Sequence, residues 1–170
     1  MNLFTRRSFN ALEEQIRQTK KRLSVVRGLK AESFSGQDGY DDEGSKMFGV
    51  EEKNLISRVR ELESIKFQSS IIEVEEQSEK IKIGNIVRLL HSTGSVELHN
   101  IEGYVFGGKN WDISSGSPLG SVLIGKKEGE KVMFKVGGED RWAIILKIYP
   151  PSEFNSLLEE FEYDQEHNMK

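Results

Sequence analysis

The chain contains no cysteine, which excludes disulfides and thiolate metal sites and suits a reducing cytoplasm. It also lacks any apolar run approaching the roughly 18–20 residues that a membrane span needs. The opening stretch, MNLFTRRSFNALEEQ, has no uninterrupted apolar core and carries acids early, unlike a signal peptide. These absences predict a soluble, cytoplasmic protein with no membrane partner. Excess positive charge is missing too. With 24 Lys and Arg against 28 Asp and Glu, the net charge is −4, so the total gives no sign of a nucleic-acid binder. IGKKEGEK lacks the upstream glycine spacing of a phosphate-binding loop. His91, His99 and His167 show no metal-ligand spacing, and no Ser-His-Asp or Cys-His arrangement can be argued.

What is present divides unevenly. At 31% charged and 36% hydrophobic, 170 residues are too polar for one compact core, so part of the chain must build helices that bury little. Residues 5–32 carry Phe9, Leu12, Ile16, Thr19, Leu23 and Val26 at alternating spacings of three and four, the narrow seam of a coiled coil. Residues 46–67 repeat the pattern with Phe48, Leu55, Val59 and Leu62, interrupted at Glu52. Two such seams joined by a Gly-rich turn predict an antiparallel helical hairpin over residues 1–67.

Charge along that hairpin is asymmetric. Residues 1–32 hold eight basic side chains against three acids, whereas residues 33–45 hold only acids: Asp38, Asp41, Asp42 and Glu43. A turn needs Gly and one or two Asx residues, not a cluster of like charges. Two carboxylates about 4 Å apart repel by about 4 kcal/mol at an effective dielectric near 20, before screening. A divalent cation removes that repulsion, and Mg²⁺ typically takes only one or two protein carboxylates. Two readings stand: a solvated coiled-coil flank with a polar turn, or a basic stem (Lys20, Lys21, Arg27, Lys30) that follows a nucleic-acid backbone and delivers an acidic tip to a metal.

Residues 68–80 read as a linker. From residue 81 the character changes to Val, Ile and aromatic runs broken by glycines: IKIGNIVRLL, SVELHNI, YVF, WDIS, KVMFKV and RWAIILKIY. These are strand signals, with turns at HSTG, FGGKN and VGGED. Ser117 and Pro118 are an N-cap and first-position pair that start one short helix. The layout is α+β, with an antiparallel sheet domain over 81–149. Trp111 and Trp142 are expected in its core. Residues 150–170 form an acidic amphipathic extension.

ISSGSPLGSVLIGKKEGEKVMFKVGGEDRWAIILKI, residues 113–148, resembles the C-terminal half of the bacterial transcript-cleavage factors of the GreA/GreB family. Ile113, Ser114, Ser117, Pro118, Leu119, Leu123, Ile124, Gly125, Lys126, Gly129 and Glu130 fit the family's stretch. IKIGNIVRL resembles the strand that opens its FKBP-like sheet domain, and the order of hairpin, linker and sheet is similar. The resemblance implies a monomeric elongation factor that binds bacterial RNA polymerase, inserts its hairpin into the secondary channel and stimulates the polymerase's own cleavage of backtracked RNA.

The same resemblance assigns roles. Asp38 and Asp41 hold the polymerase's second Mg²⁺, supported by Asp42 and Glu43. The basic stem contacts the 3′ end of the nascent RNA, and Ser117, Pro118 and Leu119 dock on the polymerase. The chain has no cofactor of its own under this reading, only the shared Mg²⁺. Cleavage by water follows two-metal logic, with ions about 3.5–4 Å apart. The family's tip motif is G-D-L-x-E-N-A-E-Y. Here Asp38-Gly39-Tyr40-Asp41 keeps the spacing of the acids, with Asp in place of Glu and no N-A-E-Y after it. A second register sets Asp41 on the first acid, Gly44 on the second acidic position and Phe48 on the aromatic. A channel-binding regulator without cleavage therefore stays open as an alternative, and more distantly an FKBP-like isomerase or a chaperone.

Overall fold

The structure is a computed structural model, and it describes residues 2–35, 42–76, 78–105, 111–157 and 159. The chain is α+β: two long N-terminal helices precede a five-stranded sheet with one short helix. It divides into two compact units, one from Phe9 to Ser69 and one comprising residues 2–8 with the chain from Ser70 onward. No helix among the described residues is long and apolar enough to cross a membrane.

The first unit is the hairpin, built on α1 (Arg6–Ser35) and α2 (Asp42–Phe67). Leu12, Ile16, Thr19 and Val26 of α1 and Val59 and Leu62 of α2 are buried, so the narrow seam closes on itself. Thr19 is tolerated there because its hydroxyl donates to the Gln15 carbonyl at 2.7 Å. Ion pairs cross between the helices at Glu13–Lys66, Lys20–Glu63, Arg22–Glu51 and Arg27–Glu52. Early α1 positions meet residues 66 and 63 and later ones meet residues 51 and 52, which is the antiparallel sense. Gly28 lies inside α1 with open space around it.

In the second unit, β3 (Ile86–His91), β4 (Val96–Glu102), β5 (Asp112–Ser114), β6 (Lys131–Val136) and β7 (Glu139–Tyr149) form one sheet in the order β5-β4-β3-β7-β6. Alternation sends Val87 and Leu89, Val132 and Phe134, and Ala143 and Ile145 to one face, where they pack with Ile81, Ile101 and Leu123. Helix α3 (Pro118–Leu123) lies on this face. A smaller cluster of Ile86, Leu98 and Tyr149 takes Phe154 and Leu157 of the C-terminal segment. Gly137 and Gly138, at φ of 61° and 87°, make the two-residue turn between β6 and β7, a conformation that a side chain would strain.

Several expectations are corrected. The sheet is not wholly antiparallel, because β5 runs parallel to β4 with Asn100, Ile101 and Glu102 opposite Asp112, Ile113 and Ser114. Strand direction depends on the connection and not on alternation, so a three-residue strand does not announce it. The presumed linker contains β2 (Ser69–Ile71), paired with β1 (Asn2–Phe4), and neither is long enough to show a period. Residues 81–85 precede the opening strand instead of belonging to it, and Tyr104 and Val105 form no strand. Trp142 is only half-buried, on the β7 positions that alternate with Ala143, and Lys131 Nζ stands 4.3 Å from its ring centroid. Trp111 is likewise half-buried and outside the core cluster.

Helix α3 is held by a contact of backbone on backbone. A Cβ on Gly120 would come within 2.0 Å of the Ser114 carbonyl oxygen, far inside any real contact. Gly120→Ala should therefore destabilise the sheet unit by about 1–3 kcal/mol, the usual range for overpacking. Gly116, whose nearest neighbour to such a Cβ is 3.8 Å away, is the control. Thermal melting should separate Gly120→Ala from Gly116→Ala, the latter staying within about 0.5 kcal/mol of wild type.

Candidate functional site

Asp38 and Asp41 lie outside the described residues. They fall between Ser35, the last residue of α1, and Asp42, the first of α2. Asp42 and Glu43 belong to the backbone of α2, and their side chains are outside the description as well.

The basic stem is described, and three of its four members already have partners. Lys20 Nζ reaches Glu63 at 2.6 Å, Arg27 Nε reaches Glu52 at 2.9 Å and Lys30 Nζ reaches the other Glu52 oxygen at 2.8 Å. Lys21 is exposed. Glu52, the interruption in the α2 seam, is thus the acceptor that fastens Arg27 and Lys30 across the hairpin. An acid at a seam position is tolerable when cations span it, and its side chain is only 18% exposed. The carboxyl is held below the usual range, first by the hydrogen bond from Lys30 and then by that from Arg27. Lys20 and Arg27 keep more than half their side-chain surface open, so these pairs leave room for a second anion.

In the sheet unit the three docking candidates have separate environments. The Ser117 hydroxyl accepts from the Gly120 N–H at 3.0 Å and caps α3, with Pro118 at the first helical turn. Leu119 packs against the main core. Pro118 and Ser121 are exposed, and Ile124 keeps 39% of its surface open. Ser117 and Leu119 are therefore accounted for by local structure, and the open surface belongs to Pro118 and its neighbours.

Spacing alone gave no sign of a histidine cluster, and here the structure corrects it. Antiparallel pairing sets Leu89 opposite Glu97, which places His91, Glu97 and His99 on one face of the β3–β4 hairpin. The two Nε2 atoms stand 3.2 Å apart, and Glu97 Oε2 lies 3.7 Å from His91 and 3.4 Å from His99. Burial pushes the His99 imidazole below the usual histidine range, while the Glu97 carboxylate opposes that shift. Three odd-numbered ligand-type residues flanking the HSTG turn were the signal available in the sequence.

The chain thus joins a charged two-helix hairpin to a small sheet unit with one short helix. The family model described as "Transcription elongation factor, GreA/GreB, C-term" matches residues 76–150. A Transcription elongation factor GreA of Cereibacter sphaeroides is 31% identical over 153 residues, covering 85% of this chain and 97% of that protein. The chain belongs to the GreA/GreB family. The Transcription inhibitor protein Gfh1 of Thermus aquaticus is 28% identical over 74% of this chain and 82% of its own length. A crystal structure of Thermus aquaticus Gfh1 aligns with a TM-score of 0.42 at 23% identity, over 87% of this chain and 97% of that one.

The pairing of Glu52 predicts a pH dependence with a definite sign. Its folded pKa is depressed, so the stability it contributes is complete above the ordinary carboxylate value of 4.5 and is lost as pH falls through the lowered value. The difference in melting temperature between wild type and Glu52→Gln should be largest near neutral pH and should shrink below about pH 4. Far-ultraviolet circular dichroism of the full chain measures it.

Proposed function

We propose that this chain is an accessory factor of bacterial RNA polymerase, not an enzyme in its own right, and that it stimulates cleavage of backtracked RNA. What supports this reading is the order of the sequence: Asp38 and Asp41 fall between Ser35, where α1 ends, and Asp42, where α2 begins with Asp42 and Glu43. A hairpin is a means of reaching a distant active site, and an acid pair at its joint is a means of supplying ligands there. Asp38 and Asp41, with Asp42 and Glu43 in support, bring carboxylates to the Mg²⁺ shared with the polymerase active site. The ion supplies the Lewis acidity that activates water, and the hairpin supplies position. Along the stem, Lys21 and the open sides of Lys20, Arg27 and Lys30 meet the 3′ segment of the nascent RNA. Contact between this factor and the polymerase falls on the exposed start of α3, at Pro118.

A second reading has its own support: the departure of the tip from N-A-E-Y, together with the kinship to a protein named as a transcription inhibitor. In that case the hairpin occupies the polymerase channel and no RNA is shortened.

The assay is stalled, backtracked polymerase with Mg²⁺ and either wild type or Asp38→Asn/Asp41→Asn. Under the cleavage reading wild type shortens the RNA, and the double variant lowers the rate by about 10²-fold or more while affinity holds, because the lost contacts act in the transition state. If wild type shortens no RNA yet competes with a GreA factor, the inhibitory reading holds. Pro118→Glu should weaken polymerase binding without unfolding, since an acid in the first turn suits the helix. Leu119→Arg is a poor probe, because it would disrupt the core before it reported on docking.

A further inference from the structure

We propose that His91, Glu97 and His99 form a binding site for a zinc-class divalent ion on the β3–β4 hairpin. The argument is geometric. A tetrahedral ion with bonds of about 2.0–2.1 Å sets neighbouring ligand atoms about 3.3–3.4 Å apart. The three separations here are 3.2, 3.4 and 3.7 Å, one edge after another of such a tetrahedron. Three ligand atoms from three side chains lie close to one another, with the imidazoles nearly perpendicular at 84°.

A hydrogen bond between the two histidines explains one of these approaches but not the third member. A hydrogen bond from His99 engages the Glu97 oxygen, but then His91 Nε2, 3.7 Å from that oxygen, is left at the edge of the cluster. A cation at the centre satisfies all three at once. Glu97 is also held for the purpose, since its other oxygen accepts from the Ser95 hydroxyl at 2.8 Å, the kind of outer support that fixes a metal-binding carboxylate. Two imidazoles select Zn²⁺, Co²⁺ or Ni²⁺ over Mg²⁺ and Ca²⁺, which prefer oxygen. This site therefore differs in chemistry from an acidic tip that shares Mg²⁺. His99 is buried, His91 partly so and Glu97 exposed, which leaves a route from solvent and a fourth position for water.

The test uses the full chain stripped of metal with a chelator, then titrated with Co²⁺ and Zn²⁺ in parallel with Mg²⁺. Wild type should develop the intense visible bands of tetrahedral cobalt, lose them when Zn²⁺ is added, and melt at a higher temperature with Zn²⁺ but not with Mg²⁺. His91→Ala, at a partly buried position, and Glu97→Gln, at an exposed one, should each abolish the cobalt bands while keeping the wild-type circular dichroism. Ser95→Ala should weaken Zn²⁺ binding by about tenfold or more. Absence of both bands and melting shift in folded wild type overturns the site. So does a Zn²⁺-dependent shift that survives in the His91→Ala/Glu97→Gln double variant, because the ion would then be bound elsewhere.

Discussion

A carboxylate buried in a sheet must be met by donors, and in the second unit that need gathers the start of the chain around Glu102. This residue is 2% exposed at the end of β4. Thr5 donates to one oxygen at 2.7 Å, and Arg7 Nη2 and Asn100 Nδ2 each donate to the other at 2.9 Å. Arg7 is shared with Asp112 of β5, and its guanidinium lies 4.4 Å from the centre of the Phe154 ring. Removing a single partner from such a network costs more than the pair contributes, because the remaining group is left buried and unsatisfied. Residues 2–8 therefore belong with a sheet that lies some eighty residues further along the chain. The hydrogen bond from Ile72 N–H to the Phe4 carbonyl, at 2.9 Å, fastens the same segment from its other side.

None of that network was legible in the sequence, and the reason is physical. Thr5, Arg7, Asn100, Glu102 and Asp112 are polar residues spread over more than a hundred positions, and their burial comes from tertiary contact. Periodic features could be read directly. The seam of α1 was visible because Leu12, Ile16 and Val26 recur at helical spacing, and the core positions of β3, β6 and β7 because strands alternate. The three-residue strands β1, β2 and β5 are too short for either period. The direction of β5 and the pairing of β1 with β2 depend on connections and on non-local hydrogen bonds, which a local pattern does not contain.

The candidate sites divide in the same way. The acid cluster and the Ser-Pro-Leu stretch announced themselves by composition and motif. The histidine cluster did not, because His91 and His99 are eight positions apart and meet only through the register of the hairpin. Glu52 is an intermediate case. It was visible as a break in the α2 seam, but what fills the break, Arg27 and Lys30 from the other helix, required the structure.

The ordering of local needs over function limits what a motif can reveal. In S-P-L-G each residue has a structural duty: Ser117 caps, Pro118 begins the helix, Leu119 packs and Gly120 admits the Ser114 carbonyl. The stem is constrained likewise, since Lys20, Arg27 and Lys30 pair across the two helices with Glu63 and Glu52. The relatives of this chain include one named as an elongation factor and one named as a transcription inhibitor, so a shared sheet with these local duties does not by itself separate the two.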